Sequence, residues 1–511
     1  IPNLGTRANA YVLYLIQRHL FGLDELETPV AEPSERKWLL LYAALFTVLA
    51  LAAPGQAAPA DDSFFRRDGG AAEDGQKLPG RLDESTQKWR TPLASGHSTP
   101  CVYGDAIYVT TFEDGKLATV ALDRGTGRTR WKQTAPATRI ETYHATSSPA
   151  AATPACDGQR LYVFFGSYGL LCYDLEGKLV WSRELGPFQD EFGAASSPIL
   201  LDDKLIVSAD HDVDSFIMAV DRRTGKTLWK TDRPGFTRSY STPVVVTVDG
   251  RKQIVVAGAL QLVAYDADDG EKLWWVHGLA RIVNPTPAQD RGLLYVATWS
   301  PGGDTDARLA MDPWPTAVKK FDADGDGKLT QEEVNDPEVL DRFFRIDLDQ
   351  NKKLDEAEWT KYARVFELAQ NTLLAIRPGG SGDVTDRAIV WEYRKGLPYV
   401  PSPLVYRGVL YLVKNGGILT CLDAASGRLL KQLRLPSNEG YYASPVAGDG
   451  KVYIASEPGV VTVVNTGSAT STLSSHDFGE RTMATPVIAG GEVYLRTEKA
   501  LYCFARDTRS R

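Results

Sequence analysis

The sequence predicts an all-β, eight-bladed β-propeller with a small α-helical insertion in its fifth blade. Three observations predict it. A Ser/Thr-Pro mark recurs eight times at intervals of 41 to 49 residues, a run of β-rich residues follows each mark, and one interval of 116 residues holds two acidic twelve-residue loops. Repeats of this period are the signature of four-stranded propeller blades.

The N-terminal part is read first. Residues 1–35 carry no assignment, and the first Met of the chain is Met218. Arg36-Lys37, the apolar run from Trp38 to Ala53, and Pro54-Gly55-Gln56-Ala57-Ala58 read as a signal peptide over 36–58. Its 16-residue run is shorter than the roughly 20 residues of a membrane span, so no span is expected after cleavage. Residues 59–80, rich in Ala, Asp and Gly, are expected to form a mobile linker. Net charge is only −8 and no Lys/Arg block occurs, so no nucleic-acid partner is predicted.

The ring is expected over 81–301 and 369–505, with a short tail at 506–511. The marks are Thr99-Pro100, Ser148-Pro149, Ser197-Pro198, Thr242-Pro243, Thr286-Pro287, Ser402-Pro403, Ser444-Pro445 and Thr485-Pro486. Each precedes a strand such as Ala106-Ile107-Tyr108-Val109 or Val493-Tyr494-Leu495. A third strand then ends in Asp, a Gly-containing turn follows, and a Trp comes on the fourth strand: Asp123 to Gly127 before Trp131, Asp174 and Gly177 before Trp181, Asp221 to Gly225 before Trp229, and Asp266 to Gly270 before Trp274. Asp and Gly supply hairpin geometry, and the Trp buries a face between neighbouring blades. Lys431 and Asn465 depart from this pattern in the sixth and seventh blades.

The segment Gln87-Lys88-Trp89-Arg90 looks like a fourth strand with no first three, and the last blade ends at Phe504 without a fourth. The region near 87–90 is therefore expected to complete blade eight and close the ring. Cys172, Cys421 and Cys503 stand where other blades have Ala121, Ala219 and Ala264, which makes them small core residues. The five cysteines show no CxxC spacing, so no disulfide framework or haem attachment is implied.

The repeats resemble those of the pyrroloquinoline-quinone-repeat (quinoprotein-like) propellers, a group that includes quinoprotein alcohol dehydrogenases and the outer-membrane-assembly lipoprotein. The resemblance covers about residues 83–505 outside the insert. It implies either a binding scaffold or a periplasmic PQQ-dependent dehydrogenase, because a fold of this kind does not fix an activity. Dehydrogenases of the group commonly carry adjacent cysteines beside the quinone, and this chain has no Cys-Cys pair.

The insert, 302–368, holds 17 Asp or Glu against 10 Lys or Arg. Residues 322–333 fit the EF-hand loop: Asp322, Asp324 and Asp326 offer carboxylates, Lys328 its carbonyl, Thr330 a water-mediated contact, and Glu333 both carboxylate oxygens, with Gly327 at the sharp turn. A second loop supplies Asp347, Asp349, Asn351, the carbonyl of Lys353, Asp355 and Glu358. There Lys352 replaces the usual Gly, so a left-handed residue is expected at a cost of about 1 kcal/mol. Helices are expected over 337–346 and 355–369, with Phe343, Phe344, Trp359, Tyr362 and Phe366 forming apolar faces. Leu329 and Leu354 should pack together.

Just before the Ser/Thr-Pro marks stand His97, His144, Arg238, Tyr240, Asn284, Tyr399, Tyr442 and Arg481, positions expected at the channel mouth. No carboxylate accompanies them there, so no general acid/base pair is assigned. The reading that results is an exported calcium-binding propeller, a non-catalytic module for a protein or carbohydrate partner, with the quinone-dependent oxidoreductase as the alternative.

Overall fold

In a computed structural model, which describes residues 63–72, 75–304, 310–467 and 470–506, eight sheets follow one another along the chain, seven of four antiparallel strands and one of four antiparallel strands with a short parallel fifth. The unassigned segment 1–35, the expected signal peptide and the last five residues lie outside the described residues. The chain divides into two units, 1–59 and 60–511, and every described residue belongs to the second.

Apart from blade 5, blades 1 to 7 are each built from consecutive strands, from 101–134 in blade 1 to 446–477 in blade 7. Blade 8 takes its first three strands from 487–505 and its outermost from Gln87–Pro92, which pairs antiparallel with Ala500–Ala505. The two ends of the ring thus share one sheet, and no edge is left open between first and last blade.

The Asp…Gly…Trp repeat encodes how blades meet. In blade 1, Asp123 accepts from Thr126 N at 2.9 Å and from its hydroxyl at 2.8 Å, and Gly127 adopts φ +72°. A Cβ on Gly127 would fall 2.6 Å from the ring of Trp89, in the blade before it. The same Trp-on-Gly seat joins Trp131 to Gly177, Trp181 to Gly225, Trp229 to Gly270 and Trp391 to Gly427. Each indole N–H also donates to a carbonyl of the neighbouring turn, at 2.8 to 3.3 Å. Trp274 is the exception. Blade 5 replaces its turn with 377–388, so Trp274 donates to Gln253 of its own blade at 2.7 Å, and Gly382–Asp383 adds a fifth, parallel strand beside it.

Toward the axis, one Ser or Thr in each of blades 2 to 8 accepts the backbone N–H of the blade before. The links run Thr99 to Thr153, Thr153 to Ser197, Ser197 to Thr242, Thr242 to Thr286, Thr286 to Ser402, Ser402 to Ser444 and Ser444 to Thr485, at 2.9 to 3.2 Å. This corrects the second mark. Thr153-Pro154, not Ser148-Pro149, opens blade 2, because only Thr153 is in register with the belt. Ser148 lies upstream, its hydroxyl accepting from Ala150 N at 3.1 Å.

The expected linker is also corrected where described, because 63–72 and 75–80 pack on the ring rather than stand free. Ser63 O accepts from Cys156 N at 2.8 Å in blade 2. Arg66 donates to Pro403 O and Pro445 O at 2.8 and 3.0 Å, and Ala71 bridges Ala447 in blade 7. The segment therefore crosses the channel, and it is held by backbone contacts that its Ala/Asp/Gly composition does not signal.

Blade 5 is interrupted between Leu293–Thr298 and Thr372–Ile376. The intervening helices are α1 (Trp314–Phe321), α2 (Pro337–Leu340), α3 (Phe343–Ile346) and α4 (Glu356–Leu368). The single helix expected over 337–346 is broken at Asp341-Arg342, which places Phe343 in the core and leaves Phe344 47% exposed. Phe321, Leu329, Phe343, Leu354, Trp359, Tyr362 and Phe366 form the insert's own core. No helix among the described residues is long and apolar enough to cross a membrane.

Ring closure makes Trp89 energetically equivalent to the Trp residues inside the repeat. Trp89→Ala and Trp181→Ala are each expected to cost about 3–5 kcal/mol in urea unfolding; a silent Trp89→Ala would contradict closure by its segment.

Candidate functional site

The two acidic loops are preorganised by their own backbones. Asp322 accepts from Gly325 N at 2.7 Å and Gly327 N at 3.0 Å, and Asp326 accepts from Lys328 N at 2.8 Å. Glu333 folds back to accept from Ala323 N at 3.2 Å and Thr330 N at 2.9 Å, and these backbone bonds hold its carboxyl below the usual range. One oxygen from each of Asp322, Asp324 and Glu333 lies within 4.8 Å of the others, and Asp347, Asp349 and Glu358 form a second such triad. In the second, burial raises the carboxyls of Asp347 and Glu358.

The loops are joined by a short antiparallel pair in which Leu329 faces Leu354, both fully buried, and Thr330 faces Lys353. Lys352 takes φ +68° where Gly327 has +75°, as its position in the loop requires. Asp326 and Asn351 sit on the loops outside the triads. Lys353 Nζ is paired with Asp326, while Asn351 donates to Asp349 at 2.7 Å.

At the channel, a cavity of about 170 Å³ is lined by the Ser/Thr belt, by Phe65 and Phe192, and by His97, Tyr240, Asn284, Tyr399 and Tyr442. Five of the eight predicted mouth residues are therefore brought together. The other three are not. Arg238 is buried in an ion pair with Asp212, with a second bond to Glu191 at 2.9 Å. Arg481 pairs with Glu457 and Glu498 at 2.9 and 3.0 Å. His144 turns to Thr146 and to the ring of Phe192.

The carboxylates missed by the sequence reading come from other loops. Asp190, fully buried, accepts from Tyr240 OH at 2.6 Å and from Phe192 N at 2.8 Å, while its second oxygen accepts no hydrogen bond among the described residues. His211, stacked on Phe188 at 4.1 Å, stands 3.8 Å from it. The only sequence signal was Gln189-Asp190-Glu191 shortly before Ser197-Pro198, outside the positions searched. Through this cluster the insert meets the mouth. Arg345 pairs with Glu191 at 3.3 Å, and Gln189 donates to Leu348 O, inside the second acidic loop.

The electrostatics decide what the cavity accepts. Burial, with Arg496 and Arg481 nearby, pushes His97 down to about 3, so it is neutral. Arg238 and Arg481 are already neutralised. A planar quinone bearing three carboxylates, as PQQ does, needs cations, and the two predicted at the mouth are spent on carboxylates, while Arg281, close to Tyr399, donates Nε to Pro301 O at 3.0 Å. All five cysteines are buried thiols outside any disulfide, and burial pushes the Cys156 thiol up to about 12, which suits packing and not redox chemistry.

A family model described as outer membrane protein assembly factor BamB (PQQ_2) matches residues 82–212, 213–313 and 363–511, well over half of the chain. The chain belongs to this family. The unmatched stretch between 313 and 363 coincides with the acidic insert, which is thus an addition to the BamB-type ring. The crystal structure of BamB from Moraxella catarrhalis superposes with a TM-score of 0.51 at 13% identity, covering 83% of this chain and 99% of that one, and so shares the fold. More distant are a europium-containing methanol dehydrogenase (TM-score 0.45, 10% identity, 85% and 89% covered) and the quinohemoprotein alcohol dehydrogenase from Comamonas testosteroni (TM-score 0.41, 14% identity, 89% and 82% covered). No curated protein sequence matches.

Near the mouth, Glu141 is buried with one oxygen unpartnered, and burial pushes it up to about 8 despite the bond from Ala194 N. Its folded value lies above its unfolded one near 4.5, so its favourable contribution is complete below about 4.5 and is lost as pH rises to about 8, by up to about 1.4 kcal/mol per pH unit. Glu141→Gln should flatten this fall in urea unfolding between pH 5 and 8; an unchanged slope would contradict the assignment.

Proposed function

We propose that this chain is an exported propeller that works as a binding scaffold, with two calcium ions bracing the insert against its mouth. The observation that carries this reading is the pair of carboxylate triads, each within 4.8 Å, at the ends of twelve-residue loops held in register by Leu329 and Leu354. Three carboxylates so close repel one another unless a cation offsets them. Calcium, a hard ion that takes six to eight oxygens, suits Asp322, Asp324, Asp326, the Lys328 carbonyl and Glu333. The second site takes Asp347, Asp349, Asn351, the Lys353 carbonyl and Glu358.

Bracing follows from where the loops are tied. The second begins two residues after Arg345, which pairs with Glu191, and its Leu348 carbonyl is held by Gln189. Its far end runs into α4, whose Val365, with Ala369 beyond the helix end, packs on Leu260 of blade 4. An ion there fixes both attachments at once. In a periplasmic or extracellular compartment, where calcium is plentiful, such sites stay filled and act as structural braces.

The scaffold reading, with a protein partner, is supported by the assembly-factor family and by the neutralised mouth. The quinone dehydrogenase is disfavoured by the same charge pairing. Calorimetry with calcium is expected to find two sites, Glu333→Gln removing one and Glu358→Gln the other, and calcium to raise the melting temperature. Unchanged binding in both variants would refute the sites, and stoichiometric PQQ binding with alcohol-dependent dye reduction would refute the scaffold reading.

A further inference from the structure

A second cavity, of about 750 Å³, lies away from the channel in the seam between α4 and blades 3 and 4. Its volume falls in the range of ligand sites. One wall is the α4 face bearing Lys361 and Arg364; the other includes Arg233 and Lys272 of the ring. Lys361 and Arg364 are three residues apart, so they are neighbours on one helix face, where like charges destabilise. Lys272 lies with its amine 4.0 Å over the Trp275 ring.

The carboxylates nearby are committed elsewhere. Asp210 is bound to Arg233 at 2.6 and 2.8 Å, Asp212 to Arg238, and Asp232 to Lys230 at 3.3 Å. Lys272, Lys361 and Arg364 make no ion pair among the described residues, and burial lowers the amines of Lys272 and Lys361. Glu356 is the only uncommitted carboxylate on the lining. Lys361 is half-buried without a counter-charge while Lys272 and Arg364 stand exposed, so an anionic occupant would meet three unpaired cations and offset the cost of the buried one.

The cations are also spread out. Gln261, where α4 is seated, pairs with His277, whereas Lys272 pairs with Tyr265 at the opposite end of the same strand pair. That separation corresponds to about 15 Å of strand, a length along which an extended segment carries several carboxylates and a compact anion does not. We propose that this seam binds an acidic, extended polypeptide segment of a partner, its carboxylates distributed along Lys272, Lys361 and Arg364. The groove exists only because the insert leans on the ring, so it is specific to a BamB-type propeller carrying this addition.

The test is fluorescence anisotropy with fluorescein-labelled hexa-glutamate on the full chain in calcium-containing buffer, with hexa-lysine as control. Saturable binding of hexa-glutamate that weakens with salt is expected. The triple variant Lys272→Met, Lys361→Met, Arg364→Met should lose at least about tenfold in affinity, from three charge contacts of modest individual strength. Glu356→Gln should tighten binding, a gain that misfolding cannot imitate. Equal binding of both peptides, no effect of the triple variant at unchanged calcium binding, or binding only of a sulfated disaccharide would each overturn the proposal.

Discussion

The structure depends on one repeated hydrogen bond, in which a ring-facing Ser or Thr hydroxyl accepts the backbone N–H of the preceding blade. Every opening residue is followed by Pro, which has no N–H to satisfy, so the N–H of the Ser or Thr itself is the group that would be stranded near the axis. Passing it to the next blade's hydroxyl satisfies it and fixes blade spacing at once. Farther out, Trp-on-Gly seats do the same work by packing, and the glycine is required twice, for its positive φ and for the indole that covers it. A ring held at two radii has little freedom in blade number or tilt.

That economy limits the channel. Belt hydroxyls accept backbone N–H groups, Arg238 and Arg481 are spent on carboxylates, and His97 is neutral, so the mouth presents aromatic faces and few free charges. The chemistry that remains available is on the insert and in its seam with the ring. An addition to the second-to-third-strand connection of one blade can acquire ion sites and a basic groove without disturbing the belt, since neither end of blade 5's inner strand is touched.

Much of this was legible in the sequence because it is written at short range. Blade period, turn residues, the closing strand and the acidic loops are all local patterns, and even the left-handed Lys352 follows from its place in a twelve-residue motif. What was not legible is set by register in space. Ser148-Pro149 and Thr153-Pro154 both fit the mark, and only the belt selects the second. The Phe343/Phe344 choice turned on a two-residue helix break, which sequence periodicity does not resolve. The segment 63–80 has the composition of a linker, yet its attachments are backbone carbonyls and one arginine, which leave no compositional trace. The carboxylates at the mouth, Asp190, Glu191 and Asp212, belong to loops whose spacing from the marks varies, so positional reasoning passed over them.

Hydrogen exchange along the ring tests its closure most directly. If Gln87–Pro92 completes blade 8, the amides of Ala500–Ala505 should exchange as slowly as those of Phe216–Asp221, the equivalent third strand of blade 3. Rapid exchange across 500–505, with the other third strands protected, would mean that the last blade is an open edge and that the ring is not sealed.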